Sequence, residues 1–177
     1  VREALRLTGI ESGVEITTIA DIPGQGTGLG SSSSVTVGLL NAMHSFQGRE
    51  VSKEQLAEEA CQIEIDILGA PIGRQDQYAA SFGGVNSIRF RENGVQVEPI
   101  EISEGLAKKF SENFTLVFTG LTRSASKVLS EQSDDESDKN SRMREIRKHA
   151  DEAASHIEHG DLDSLGAILN QTWISKR

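Results

Sequence analysis

The chain has 177 residues, of which 36% are hydrophobic and 25% charged, and its net charge is −9. This composition is globular and large enough to bury an ordinary core, so no disulfide or structural metal is needed to hold it together. The acidic balance argues against a nucleic acid or an anionic membrane as main partner, since both demand a basic face; a small phosphorylated ligand, held by local donors, stays open.

In chain order, Val1–Leu7 reads as a helix stopped by Gly9, and Val14–Ala20 as a strand rich in β-branched residues. A glycine-rich loop follows. Ser32–Phe46 then reads as a helix with Val35, Leu39, Met43 and Phe46 on one apolar stripe. Ser52 is placed to N-cap a helix over Lys53–Leu68, with Gln55 at the capping-box position; Gly69, Pro71 and Gly73 break it. Val85–Phe90 and Val95–Ile100 flank "ENG" and read as a hairpin, and Phe114–Thr119 as a further strand. Helices are expected over Ser124–Glu131, Arg142–His159 and Leu162–Ser175, the last two separated by "HGDLDS" with its glycine stop and aspartate cap. The acidic stretch Ser130–Arg142 reads as a solvated loop or helix end. Early alternation followed by helices gives an α+β protein. Cys61 is the one cysteine, so there is no internal disulfide framework; it reads as a small buried apolar residue, and a reducing cytoplasm is the expected compartment. No apolar run of about 18 residues and no targeting segment is visible. Both ends lie inside helical patterns, "VREALRLTG" and "NQTWISKR", and are expected to be cuts in something longer.

The loop "PGQGTGLGSSSS" (Pro23–Ser34) carries the chemistry. Glycines permit positive φ and close approach of a guest to the backbone. A helix starts at once afterwards, so its unpaired N–H groups point into the same space. Together they form an anion cradle, with Ser31 and Ser32 adding hydroxyls, one of which could face a Mg²⁺ ion. The loop lacks the lysine of a Walker motif, and its glycines do not fit the dinucleotide G-x-G-x-x-G register. The bland alternative is a flexible Gly/Ser linker. Two acidic residues follow. Glu64 lies between Ile63 and Ile65 and shares a helix face with Ala60 and Leu68, whereas Glu58, Glu59 and Asp66 read as surface charges. Asp76 lies in "PIGRQDQYAASFGG", either as a functional loop residue or as the N-cap of a short helix Gln77–Ser81. Trp173 reads as core with Leu165 and Leu169; His44, His149, His156 and His159 show no metal spacing and read as surface or helix residues.

The loop resembles the second motif of the GHMP kinases, and "GRQDQYAASFGGVNSIRF", "TGLTRSAS" and "NQTWISKR" resemble the heptose 7-phosphate kinase subgroup over essentially the whole chain. The resemblance implies a GHMP kinase-like α+β fold. A ribosomal-protein-S5-domain-2-like ATP-binding part would occupy 1–120, and the helical start of a ferredoxin-like domain 121–177. Both parts are expected to be incomplete, with the family's first motif before Val1 and its third after Arg177. It implies ATP and Mg²⁺, with Gly26, Thr27, Gly28, Leu29, Gly30, Ser31 and Ser32 around the phosphates. Ser32 and Glu64 would be the Mg²⁺ ligands, and Asp76 the base. Arg123 would bind the phosphate of a sugar phosphate, the alternative being a solvated helix-start arginine; Arg74 is the second choice. The implied reaction is phosphoryl transfer to the anomeric hydroxyl of a heptose 7-phosphate by a cytoplasmic enzyme, with a homodimer left open. Transfer to another sugar or a mevalonate-like alcohol is the near alternative, and a nucleotide sensor without turnover the remote one.

Overall fold

The structure is a computed structural model that describes residues 1–19, 28–117 and 136–175. These fall into two compact units: 1–19 with 28–83, and 84–117 with 136–175.

The first unit is helical among its described residues. Helix α1 (Arg2–Thr8) ends at Gly9, whose φ of 74° lets its amide reach back to the last turn. Helix α2 (Ser31–Phe46) starts at Gly30, which is also left-handed, at φ 65°. Helix α3 (Lys53–Cys61) is capped by Ser52, whose hydroxyl accepts from the Gln55 amide at 3.1 Å. The Gln55 side chain does not complete a capping box; it donates to Glu59 at 2.8 Å instead. Helix α4 (Gln75–Phe82) closes the unit. The core brings together Ala4 of α1, Val37, Leu40 and Met43 of α2, and Leu56 and Ala60 of α3. Cys61 is buried here as well, and burial pushes its thiol up.

The expected stripe on α2 is corrected. Val35 and Phe46 are exposed, and the buried face runs through Ser33, Val37, Leu40, Met43 and His44. Two acids that follow, the half-buried Glu59 and the buried Glu64, select this face. Ser33 meets Glu64, and His44 Nε2 lies 2.7 Å from Glu59. A polar group is buried where it has a partner, and these two outweigh a more apolar face that has none. His44 is therefore a core residue, and Glu59 its partner rather than a free surface charge. His149, in the second unit, is buried too, with Nδ1 3.0 Å from the Thr172 hydroxyl.

The helix expected over Lys53–Leu68 is not a continuous α-helix. From Gln62 to Ile67 it widens into a π-helical turn, in which the Leu68 amide bonds to the Ile63 carbonyl at 3.0 Å. Such turns insert one residue into the helical register and recur at functional sites. Here the insertion separates two residues that ordinary helical spacing would stack: Glu64 is buried and Leu68 exposed.

In the second unit, β1 (Asn86–Arg91) and β2 (Gly94–Pro99) form the expected hairpin, with Arg91 opposite Gly94 and Glu92-Asn93 turning between them. Helix α5 (Glu104–Asn113), which the sequence reading did not include, is capped by the Ser103 hydroxyl. Helices α6 (Glu136–His159) and α7 (Leu162–Ser175) pack together, and Asp161 caps α7 through the Ser164 amide at 3.1 Å. Leu165 and Ile168 are the buried face of α7, whereas Leu169 and Trp173 are exposed, so Trp173 is not core.

The strands expected over Val14–Ala20 and Phe114–Thr119 do not form in their described parts, and Ala20, Phe118 and Thr119 lie outside the described residues. Val14–Ile19 and Phe114–Val117 carry no ladder, and Ile19, Leu116 and Val117 stand exposed. β-Propensity reports fitness for a paired, half-buried surface, and neither segment has a partner strand among the described residues. The helix expected over Ser124–Glu131 lies outside the described residues.

Candidate active site

The N-terminus of α2, the π-helical turn and the start of α4 converge on one carboxylate. Glu64 is 4% exposed. Its Oε1 accepts from Ser32 Oγ at 2.5 Å and Thr36 Oγ1 at 3.3 Å; its Oε2 accepts from Ser33 Oγ at 2.8 Å and Gln77 Nε2 at 2.6 Å. All four donors are uncharged, and among the described residues no lysine, arginine or histidine pairs with this carboxylate. A buried charge is normally paired with an opposite charge or with a metal. Among the described residues Glu64 is instead held by hydrogen bonds to neutral groups alone.

Asp76 adjoins this cluster. It is an exposed residue in the first turn of α4, one position before Gln77. Arg74 holds the N-cap position and makes no side-chain cap bond, so Asp76 is not the cap that one sequence reading offered. A carbon added to Gly30 would stand 3.5 Å from Asp76 Oδ2, which places the carboxylate directly against the glycine that opens α2. Among the described residues nothing lies within 4 Å of a Cβ added to Gly28, which has φ 70°. The backbone there adopts a conformation that side-chain-bearing residues rarely hold. The first amides of α2 lack intrahelical partners, and the helix dipole adds to their attraction for an anion.

Of the residues expected in the site, Gly28, Leu29, Gly30, Ser31, Ser32, Glu64 and Asp76 are described, and Ser32, Glu64, Gly30 and Asp76 are brought together. Gly26, Thr27 and Arg123 lie outside the described residues. Arg74, the second choice for substrate phosphate, pairs with Glu58 and lies 5.7 Å from the centre of the Tyr78 ring. Burial, followed by the Glu58 hydrogen bond, pushes the Tyr78 hydroxyl well up. An open groove lined by Gln55, Glu58, Cys61 and Arg74 shares no residue with the Glu64 cluster. Sequence reading missed Ser33, Thr36 and Gln77. Ser33 was visible as one of four successive serines. Gln77, fully buried, stands immediately after the proposed base and carried no periodic signal.

Residues 1–84 match the family model described as GHMP kinases N terminal domain. The fold is that of GHMP-type sugar kinases. The chain is similar to the D-glycero-alpha-D-manno-heptose 7-phosphate kinase of Campylobacter jejuni, with 33% identity over 90% of this chain and 48% of that protein. It superposes on the crystal structure of a D-glycero-D-manno-heptose 1-phosphate kinase from Bacteroides thetaiotaomicron with a TM-score of 0.79 at 28% identity, covering 97% of this chain and 51% of that one. The L-fucokinase/L-fucose-1-P guanylyltransferase of Bacteroides fragilis is 27% identical over 95% of this chain and 18% of that protein. The chain thus spans about half the length of the two heptose kinases it matches.

Proposed function

We propose that the protein is an ATP-dependent sugar-phosphate kinase acting in the cytoplasm. It moves the γ-phosphoryl group of ATP to the anomeric hydroxyl of a heptose 7-phosphate. The observation that carries the reading is the buried Glu64 carboxylate, held beside Ser32 at the start of α2 with no cationic partner among the described residues. The acceptor rests on likeness. The Campylobacter jejuni kinase is named for a heptose 7-phosphate, which already carries one phosphate and leaves its anomeric hydroxyl free; the 1-phosphate in the other kinase's name occupies that oxygen, so that likeness supports a heptose phosphate only in general.

The donor set fits Mg²⁺. That ion takes hard oxygen ligands, and it is commonly held by one or two carboxylates together with substrate phosphates and water. Glu64 Oε1 and Ser32 Oγ are adjacent oxygens of this kind. Among the described residues no group of three or more His, Cys, Asp and Glu could hold a metal by itself, which suits an ion that arrives with a nucleotide. When bound, Mg²⁺ supplies neutralisation of charge on the phosphates.

The chain's own residues do the rest. The loop 26–32 and the first amides of α2 cradle the phosphates. Asp76, against Gly30, orients the acceptor hydroxyl and takes its proton as the oxygen attacks. Arg123 receives the acceptor's existing phosphate in a bidentate contact. The assignment of 1–120 to the nucleotide-binding domain and of the remainder to the start of the second domain belongs to the same reading. Catalysis of this kind is mostly positioning and charge stabilisation.

Calorimetric titration of the protein with ATP and Mg²⁺ tests the cradle. Gly28→Val forces a β-branched residue to positive φ, so nucleotide affinity should fall by at least about tenfold. Unchanged affinity in that variant would remove the loop from the site.

A further inference from the structure

The two oxygens of Glu64 are not equivalent. Oε1 faces Ser32 and Thr36; Oε2 is gripped by Ser33 and by Gln77. Gln77 is 0% exposed, and its own Oε1 is buried without a hydrogen-bond donor among the described residues. An orphaned buried acceptor is costly, so something must fix the amide in this orientation. Glu64 does so. Only the NH₂ end of an amide can face a carboxylate, and turning the amide over would set two oxygens against each other.

We infer that Gln77 is a positioning residue of the cation site. With Ser33 it anchors Oε2 of Glu64, and so presents Oε1, beside the Ser32 hydroxyl, as the oxygen that meets the metal. The inference rests on the proposed metal role of Glu64. Partners behind a metal ligand fix its orientation, and removing one typically costs about 10–100-fold in metal affinity. Gln77→Met keeps an unbranched chain of similar length and removes both the donor and the orphaned acceptor. Ser33→Ala removes the other donor to the same oxygen.

The test is Mn²⁺ binding, followed by electron paramagnetic resonance, to the protein carrying a non-hydrolysable ATP analogue. Gln77→Met and Ser33→Ala should each bind Mn²⁺ about 10–100-fold more weakly. The analogue's affinity without divalent metal should stay as in the wild type. Wild-type Mn²⁺ affinity in Gln77→Met, whatever its stability, would overturn the inference. Should that variant fail to fold, Ser33→Ala carries the test with the same two outcomes. Glu64→Gln is measured alongside. If it too binds Mn²⁺ normally, the metal reading itself fails and takes the inference with it. If it alone loses Mn²⁺, the metal reading stands and the role of Gln77 falls.

Discussion

Asp76→Asn is expected to lower turnover by at least about a hundredfold, the scale of losing a general base, while folding and ATP affinity stay as they were. Asparagine has nearly the shape of aspartate but does not accept the proton. Asp76 sits in the first turn of α4 rather than at its cap, so the structural cost is confined to a charge lost near a helix N-terminus, roughly 0.3–1 kcal/mol. A small stability change and a large rate change separate the two roles. Near wild-type phosphoryl transfer by Asp76→Asn, measured in single-turnover kinetics, would leave the mechanism without its base.

Glu64→Gln should abolish most activity with no loss of stability. Charge neutralisation by a metal is worth several kcal/mol in a transition state, so loss of its carboxylate ligand should slow transfer roughly a hundredfold or more. High Mg²⁺ should restore part of the rate. The expected effect on folding has the opposite sign from that of breaking an ordinary ion pair. Without metal the Glu64 carboxylate is buried among neutral donors with no opposite charge beside it among the described residues, and an amide in its place removes that charge. The Ser32 and Thr36 hydroxyls can turn to accept from the new NH₂ group. The variant's melting temperature in a metal chelator should therefore equal or exceed the wild type's. A large fall in melting temperature with normal turnover would mark Glu64 as structural.

What was legible in the sequence depended on the range of the interaction. Caps and turns are local, so Gly9, Ser52 and Asp161 and the "ENG" hairpin could be read directly. Glu64 and Asp76 were legible as acids in a suggestive order, and the first also as an acid between two isoleucines. The π-helical turn was not legible. A one-residue shift in helical hydrogen bonding leaves no compositional trace, and it separates Glu64 from Leu68. The burial of His44 and Ser33 was illegible for a related reason, since each depends on an acid more than a dozen positions away. The apolar stripes assigned to α2 and α7 followed hydrophobicity alone; on α2 the face with polar partners is the buried one, and on α7 Leu165 is buried with Ile168 rather than with Leu169 and Trp173. Val14–Ile19 and Phe114–Val117 have strand composition, but strand structure needs a second strand, which composition does not supply.

The most direct measurement is transfer of labelled phosphate from γ-³²P-ATP, with Mg²⁺, to a panel of sugar phosphates that includes D-glycero-D-manno-heptose 7-phosphate. Label is expected in a doubly phosphorylated heptose, with the new group on the anomeric oxygen, and is expected to be lost in Asp76→Asn. ATP bound without label reaching any acceptor, or label transfer that survives both Asp76→Asn and Glu64→Gln, would contradict the proposed reaction.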